Sequence, residues 1–144
     1  MAGSVKRLFD NSTYSTLQAA YVAIGTLVRD ETLEIDTLLG EDVGRFWTNG
    51  AFENITNYRL NIVAKSGQVG ILDGLGTGNS IFLESINNVY LENLVCKNGN
   101  IANLRIKNCH SISAKGLSLE SGNWNVFIEG SYGVYLQGVV GTGA

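Results

Sequence analysis

Ile81–Gly99 (IFLESINNVYLENLVCKNG), Leu104–Gly122 (LRIKNCHSISAKGLSLESG) and the run from Val126 (VFIEGSYGVYLQGVVGTGA) are three copies of one pattern, offset by 22 to 23 residues. Read as columns, Leu83, Ile106 and Ile128 align, as do Val89, Ile112 and Val134. So do Leu91, Ala114 and Leu136, then Leu94, Leu117 and Val139. Asn93, Gly116 and Gly138 share a turn position, and Gly99 and Gly122 share another. Within each copy apolar and polar residues alternate in short runs, a strand signal broken every few residues by Asn, Ser or Gly. No helical stripe of useful length runs through Phe52 to Ala144. Short strands, tight turns and this period fit a parallel β-helix, one coil per repeat. Each inward residue then stacks on its equivalent in the next coil, about 4.8 Å away.

Upstream, Phe52–Leu60 (FENITNYRL) aligns with Leu83–Leu91, and Ile62–Gly67 aligns with Leu94–Gly99 after one deletion. This copy is lengthened by Gly67–Ser80 (GQVGILDGLGTGNS), an apolar run with a Gly-rich loop. Nearer the N-terminus, Ser15-Thr16-Leu17-Gln18 reads as a capping box. Leu17, Ala20, Tyr21, Ile24 and Val28 fall on one face, which predicts a helix from Thr16 to Arg29. Thr32–Asp36 alternates as a strand. The expected fold is all-β: a right-handed parallel β-helix of about four to five coils with an N-terminal capping α-helix. Residues 1–31 form the capping segment and 32–144 the coils, with clear repeats over 81–144 and a longer coil over 52–80. The helix covers the apolar end of the stack and its unpaired strand edges.

The composition agrees with a single folded unit: 44% of the 144 residues are apolar and 16% are charged. With 18 Gly, 15 Asn and no Pro, the chain is rich in the residues that accept positive φ at tight turns. Its net charge of -3 leaves no basic excess for a phosphate backbone, so nucleic acid is not an expected partner. No secretory signal opens the sequence, and no apolar run nears the roughly 20 residues that span a bilayer. A protein made in the cytoplasm, without membrane insertion, is expected. Cys96 and Cys109 lack metal-ligand spacing and align with apolar core positions, so both read as inert buried thiols. Neither a cofactor nor a metal is expected.

The helix start Leu17-Gln18-Ala19-Ala20-Tyr21 ahead of a strand, followed by coils such as Ser111-Ile112-Ser113-Ala114-Lys115-Gly116-Leu117, resembles the pectate-lyase-like right-handed β-helices. Among these the chain most resembles bacteriophage tailspike and tail-fibre proteins, over Leu17 to Ala144. The resemblance implies a homotrimer or other virion assembly that acts at the cell surface, where such proteins bind and often cleave polysaccharide.

Candidate chemistry is sparse. Glycosidases need paired carboxylates, and lyases need a base with charge-neutralising partners. Glu53, Glu84, Lys107 and Glu129 read as one column, with Lys107 between Glu84 and Glu129; alternating signs also suit a solvated ladder. Glu92, Lys115 and Gln137 form a second such column. Asp73 is the candidate acid of the Gly-rich insert, although Asp-Gly is an ordinary turn pair. His110 aligns with Asn87 and Tyr132 and reads as a turn or surface residue. Gly74–Gly78 lacks the lysine and following helix of a phosphate loop. Outward aromatics stand in columns: Phe82, Arg105 and Phe127 in one, Tyr90, Ser113 and Tyr135 in another, beside Val95, Ser118 and Val140. Such columns suit a subunit interface or sugar stacking.

Val134, Leu136 and Val139 in the last copy are expected to present an apolar end, covered by further coils of a longer spike, by a partner chain or by packing of identical chains. The expected function is therefore a structural or adsorption module of a phage tail or virion, presenting surfaces for subunit contacts and host glycan. The alternative is a polysaccharide depolymerase using Glu53, Glu84, Glu129 and Asp73.

Overall fold

In the computed structural model, residues 3–48 and 53–142 are described. The chain runs β1 (Ser4–Arg7), β2 (Ser12–Tyr14), α1 (Leu17–Ile24), β3 (Glu31–Asp36), β4 (Phe46–Trp47), β5 (Leu60–Ala64) and β6 (Gly70–Asp73). Three regular coils follow: β7 (Asn79–Glu84) with β8 (Asn87–Lys97), β9 (Ala102–Lys107) with β10 (His110–Glu120), and β11 (Trp124–Glu129) with β12 (Tyr132–Thr142). These stack as a parallel β-helix of about three turns. One ladder has the order β3-β5-β8-β10-β12, with β6 also on β8; the other has the order β4-β7-β9-β11.

The columns read from the sequence are the pairs of these ladders. Leu83 faces Ile106 and Ile106 faces Ile128; Val89, Ile112 and Val134 stack, as do Leu94, Leu117 and Val139. Leu83, Leu91, Leu94, Ile106 and Ile112 are buried, so every coil contributes a layer to one continuous core. Burying each such side chain is worth about 1.5–3 kcal/mol.

Corners are set by residues that accept a left-handed backbone. Ser85, Asn108 and Gly130 hold φ of 53°, 53° and 52° at one corner, and Asn93, Gly116 and Gly138 hold 54°, 70° and 63° at another. Asn88, Ser111 and Gly133 repeat the device at φ of 60°, 58° and 65°. The left-handed residue at 93 also shifts the alternation, so that Leu91 and then Leu94 both point inward. The recurrent Asn, Ser and Gly are thus the bends of the coil.

At the N-terminal end the parallel ladder is finished by an antiparallel hairpin that the sequence pattern did not reveal. β1 pairs antiparallel with β3, and β2 with β1. Glu31, 2% exposed, accepts from Arg7 Nε at 3.0 Å and Arg7 Nη2 at 2.7 Å, which fastens β1 to β3. The Arg7 and Arg29 guanidinium groups lie over the Phe9 ring, at 5.2 and 3.8 Å. α1 buries Leu17, Ala20 and Tyr21 against this end of the core.

Two expectations about the helix are corrected. The helix stops at Ile24, not Arg29, because Gly25 closes it at φ 71° with its N–H donating to the Tyr21 carbonyl; Val28 is 63% exposed. Its N-cap is Thr16, whose Oγ1 accepts from the Ala19 amide, rather than Ser15. Gln18 is therefore free to reach β4.

The upstream copy is also out of register with the sequence alignment. Asn54 bridges Ile86, Leu60 faces Val89 and Ile62 faces Leu91; Phe52 lies outside the described residues. Cys96 accordingly faces Leu72, not Ala64. Extra chain enters at 55–59 and at 64–69, where later coils need only tight bends. Much of the supposed insert 67–80 is ordinary coil: β6 is a rung on β8, and only the turn 74–78 stands between it and β7. The regular stack is thus about three turns, with irregular rungs β3 to β6 below it.

Candidate functional site

β4 is only two residues long, yet it decides the outer surface of the β4-β7-β9-β11 sheet. Phe46 faces Ile81 and is buried, so Trp47 points outward beside Phe82. The helix holds this short strand in place. Gln18 Nε2 donates to the Trp47 carbonyl at 3.1 Å, and the Trp47 amide donates to Gln18 Oε1 at 2.9 Å. A side-chain amide here does what a neighbouring strand does elsewhere.

The outward column is consequently Trp47, Phe82, Arg105, Phe127, one residue longer than the sequence indicates. Trp47 and Phe82 stack at 5.8 Å between centroids with planes 5° apart. The Arg105 guanidinium lies 4.6 Å from the Phe82 ring centre and 5.6 Å from that of Phe127. Trp124, 58% exposed, meets Phe127 edge-on at 5.9 Å. Across four rungs the column spans about 14 Å of rigid surface.

Beside its Trp47 end lies a groove of about 710 Å³, lined among others by Gln18, Arg45, Trp47, Asn79, Phe82 and Arg105. Arg45 donates from one nitrogen to the Thr77 carbonyl and hydroxyl, at 3.1 and 2.8 Å. Asn79 Oδ1 is the one buried side-chain polar atom without a hydrogen-bond partner among the described residues.

The acidic candidates are dispersed or already engaged. Glu84, Lys107 and Glu129 are neighbours on successive rungs, as read from the sequence. Glu84 accepts from the Trp47 indole N–H at 3.2 Å and pairs with Lys107 at 3.7 Å. Glu129 pairs with Arg105 at 2.7 Å. Glu53 leaves this column, because Asn54 is bridged to Ile86 and Thr48 occupies the rung beside Glu84. Asp73 closes the turn after β6, accepting from the Leu75 amide at 2.8 Å and the Asn98 side chain at 3.0 Å. The carboxylates therefore do not converge on one groove; Glu84 and Glu129 belong to a charge ladder along the sheet.

Tyr90, Ser113 and Tyr135 do form the second outward column, on the β8-β10-β12 ladder. Arg59 lies 4.7 Å from the Tyr90 ring, and Tyr135 is 74% exposed. His110 stacks on Tyr132 at 5.0 Å, one rung on. Both cysteines are buried, and burial pushes the Cys96 thiol up to about 12, so it stays protonated and unreactive. Among the described residues no cluster of three His, Cys, Asp or Glu side chains could hold a metal ion, and no helix is long and apolar enough to cross a membrane.

Trp47, Arg45 and Asn79 were not singled out from the sequence, and Gln18 was read only as part of a capping box and helix start. The usable signal was Phe46-Trp47, which repeats the inward-outward order of Ile81-Phe82. Scans against family models, curated proteins and solved structures return no match to this chain.

Proposed function

We propose that this β-helix is a non-catalytic glycan-binding module, an adsorption unit of a phage tail or virion that works as a homotrimer at the host surface. The observation that carries the reading is the Trp47–Phe82–Arg105–Phe127 column with a groove at its Trp47 end. Sugar rings present apolar C–H faces that lie on exposed aromatic rings, and hydroxyl edges that need fixed amide and guanidinium partners. Both kinds of group are present here, on a sheet whose rung spacing is close to the length of one pyranose unit. The tail setting is supported by the repeat style and by the outward Tyr90–Tyr135 column, which offers a second face for subunit contact. Glu84 and Glu129, each already held by a cation, suit a charge ladder better than an acid–base pair.

The test is retention on a panel of immobilised neutral and acidic polysaccharides, for the native chain and for Trp47→Ala. Native retention that falls about tenfold or more in the variant is the expected result, since one stacking contact is worth about 1.4 kcal/mol. No retention on any polysaccharide rejects glycan binding. Shortening of a retained polysaccharide rejects the non-catalytic reading and favours the depolymerase.

A further inference from the structure

We propose that the groove selects acidic saccharides, with Arg45 as the residue that recognises the anionic group. This inference rests on the glycan-binding reading and narrows its ligand class. The protein as a whole is acidic, with a net charge of -3, yet the groove is lined by Arg45 and Arg105 and by no Asp or Glu among the described residues. The two arginines are not equivalent. Arg105 is committed to Glu129, through Nε at 2.8 Å and Nη2 at 2.7 Å, and lies over Phe82. Arg45 has no carboxylate partner among the described residues; its only bonds, to Thr77, come from Nη1. Its Nε and Nη2 donors are thus left for a ligand.

A guanidinium with one nitrogen fixed by the protein and the others free is pre-oriented for an oxyanion, which it holds through two parallel N–H bonds. The Thr77 bonds matter here, because they set the plane of the group before a ligand arrives. Gly78 lies directly below: a Cβ there would come 3.7 Å from Arg45 Nη1, with the backbone at φ 62°. The turn that follows β6 therefore supports the arginine. Trp47, on β4 two residues after Arg45, supplies the stacking surface for the ring that carries the acid. A uronic acid or a sulfated sugar meets both requirements; a neutral sugar offers the Arg45 guanidinium no charge.

The chain has two tryptophans, so Trp124→Phe leaves Trp47 as the single reporter of fluorescence. In that background, oligogalacturonate, a sulfated galactan oligosaccharide and a neutral galactan oligosaccharide of equal length are titrated with and without Arg45→Gln, alongside the polysaccharide panel above. An acidic ligand is expected to bind at least about tenfold more tightly than the neutral one, and Arg45→Gln to remove that preference. The uronate and sulfate arms distinguish which anion is read. Equal binding of neutral and acidic ligands overturns the selectivity and leaves glycan binding standing. A preference that survives Arg45→Gln overturns the assignment to Arg45. Binding to neither the titrated oligosaccharides nor the panel overturns both readings.

Discussion

Asn54 is a fully buried polar residue whose hydrogen bonds join three parts of the chain. Its Oδ1 accepts from the Leu27 amide at 2.8 Å, and its Nδ2 donates to the Tyr21 hydroxyl at 2.7 Å and the Gly25 carbonyl at 3.3 Å. Its own backbone bonds Ser85 and Asn87 of the next coil. One amide thus fixes the end of α1, the segment after it and the first regular coil together. The sequence alignment put the apolar Ile55, not Asn54, opposite Ile86, because an apolar residue is the ordinary occupant of that column. Ile55 is instead 57% exposed, and the amide goes inward because the Gly25 turn leaves backbone groups that only a polar side chain satisfies. Asn54→Leu would fill the space but take the Asn54 hydrogen bonds from the Leu27 amide and the Gly25 carbonyl. At roughly 1–3 kcal/mol for each stranded group, a loss of about 3 kcal/mol is expected from urea denaturation. A loss below about 0.5 kcal/mol would mean that other groups or water satisfy these partners.

Among elements, the strands of the regular coils were legible because three copies present the same alternation, while the bends between them were legible in position and not in conformation. The Asn93–Gly116–Gly138 column makes that concrete: the residue type changes from coil to coil, but the left-handed backbone does not. Gly116→Ala should therefore cost about 1–2 kcal/mol, whereas Gly116→Asn, which copies the preceding coil, should cost less than Ala. The nearest neighbour of either new Cβ is the Asn93 side-chain oxygen, the movable end of an exposed residue, so the comparison isolates backbone strain. Equal losses in a chemical denaturation of the two variants would mean that crowding, not φ, sets the cost. What stayed hidden has a common cause. β1, β2 and β4 are four, three and two residues long, too short for any period, and they are held by partners distant in sequence. The candidate site suffered most from this, since its Trp47 and Arg45 lie on or beside β4, while Phe82, Arg105 and Phe127 stand in repeats that the alignment exposed.

At the scale of the whole molecule, each of the two ladders carries its own exposed apolar surface. Tyr132, Tyr135 and Val140 are all more than half exposed, at 69, 74 and 59%. They lie on β12, where no further strand pairs among the described residues. Together with Tyr90 they form a surface separate from the Trp47 groove, so subunits can meet on the β8-β10-β12 ladder without closing the glycan site. This division of labour is what the proposed trimer requires. Light scattering after size exclusion is expected to give three times the 15.5 kDa chain mass, unchanged over serial dilution. Tyr135→Lys places a charge in the middle of that surface, where burial without a partner is costly. It should shift the mass toward one chain while leaving saccharide binding by the Trp47 groove intact. A native protein that runs as a single chain at every concentration removes the trimer. A Tyr135→Lys trimer moves the contact to the Trp47–Phe127 column, and saccharide would then compete with assembly.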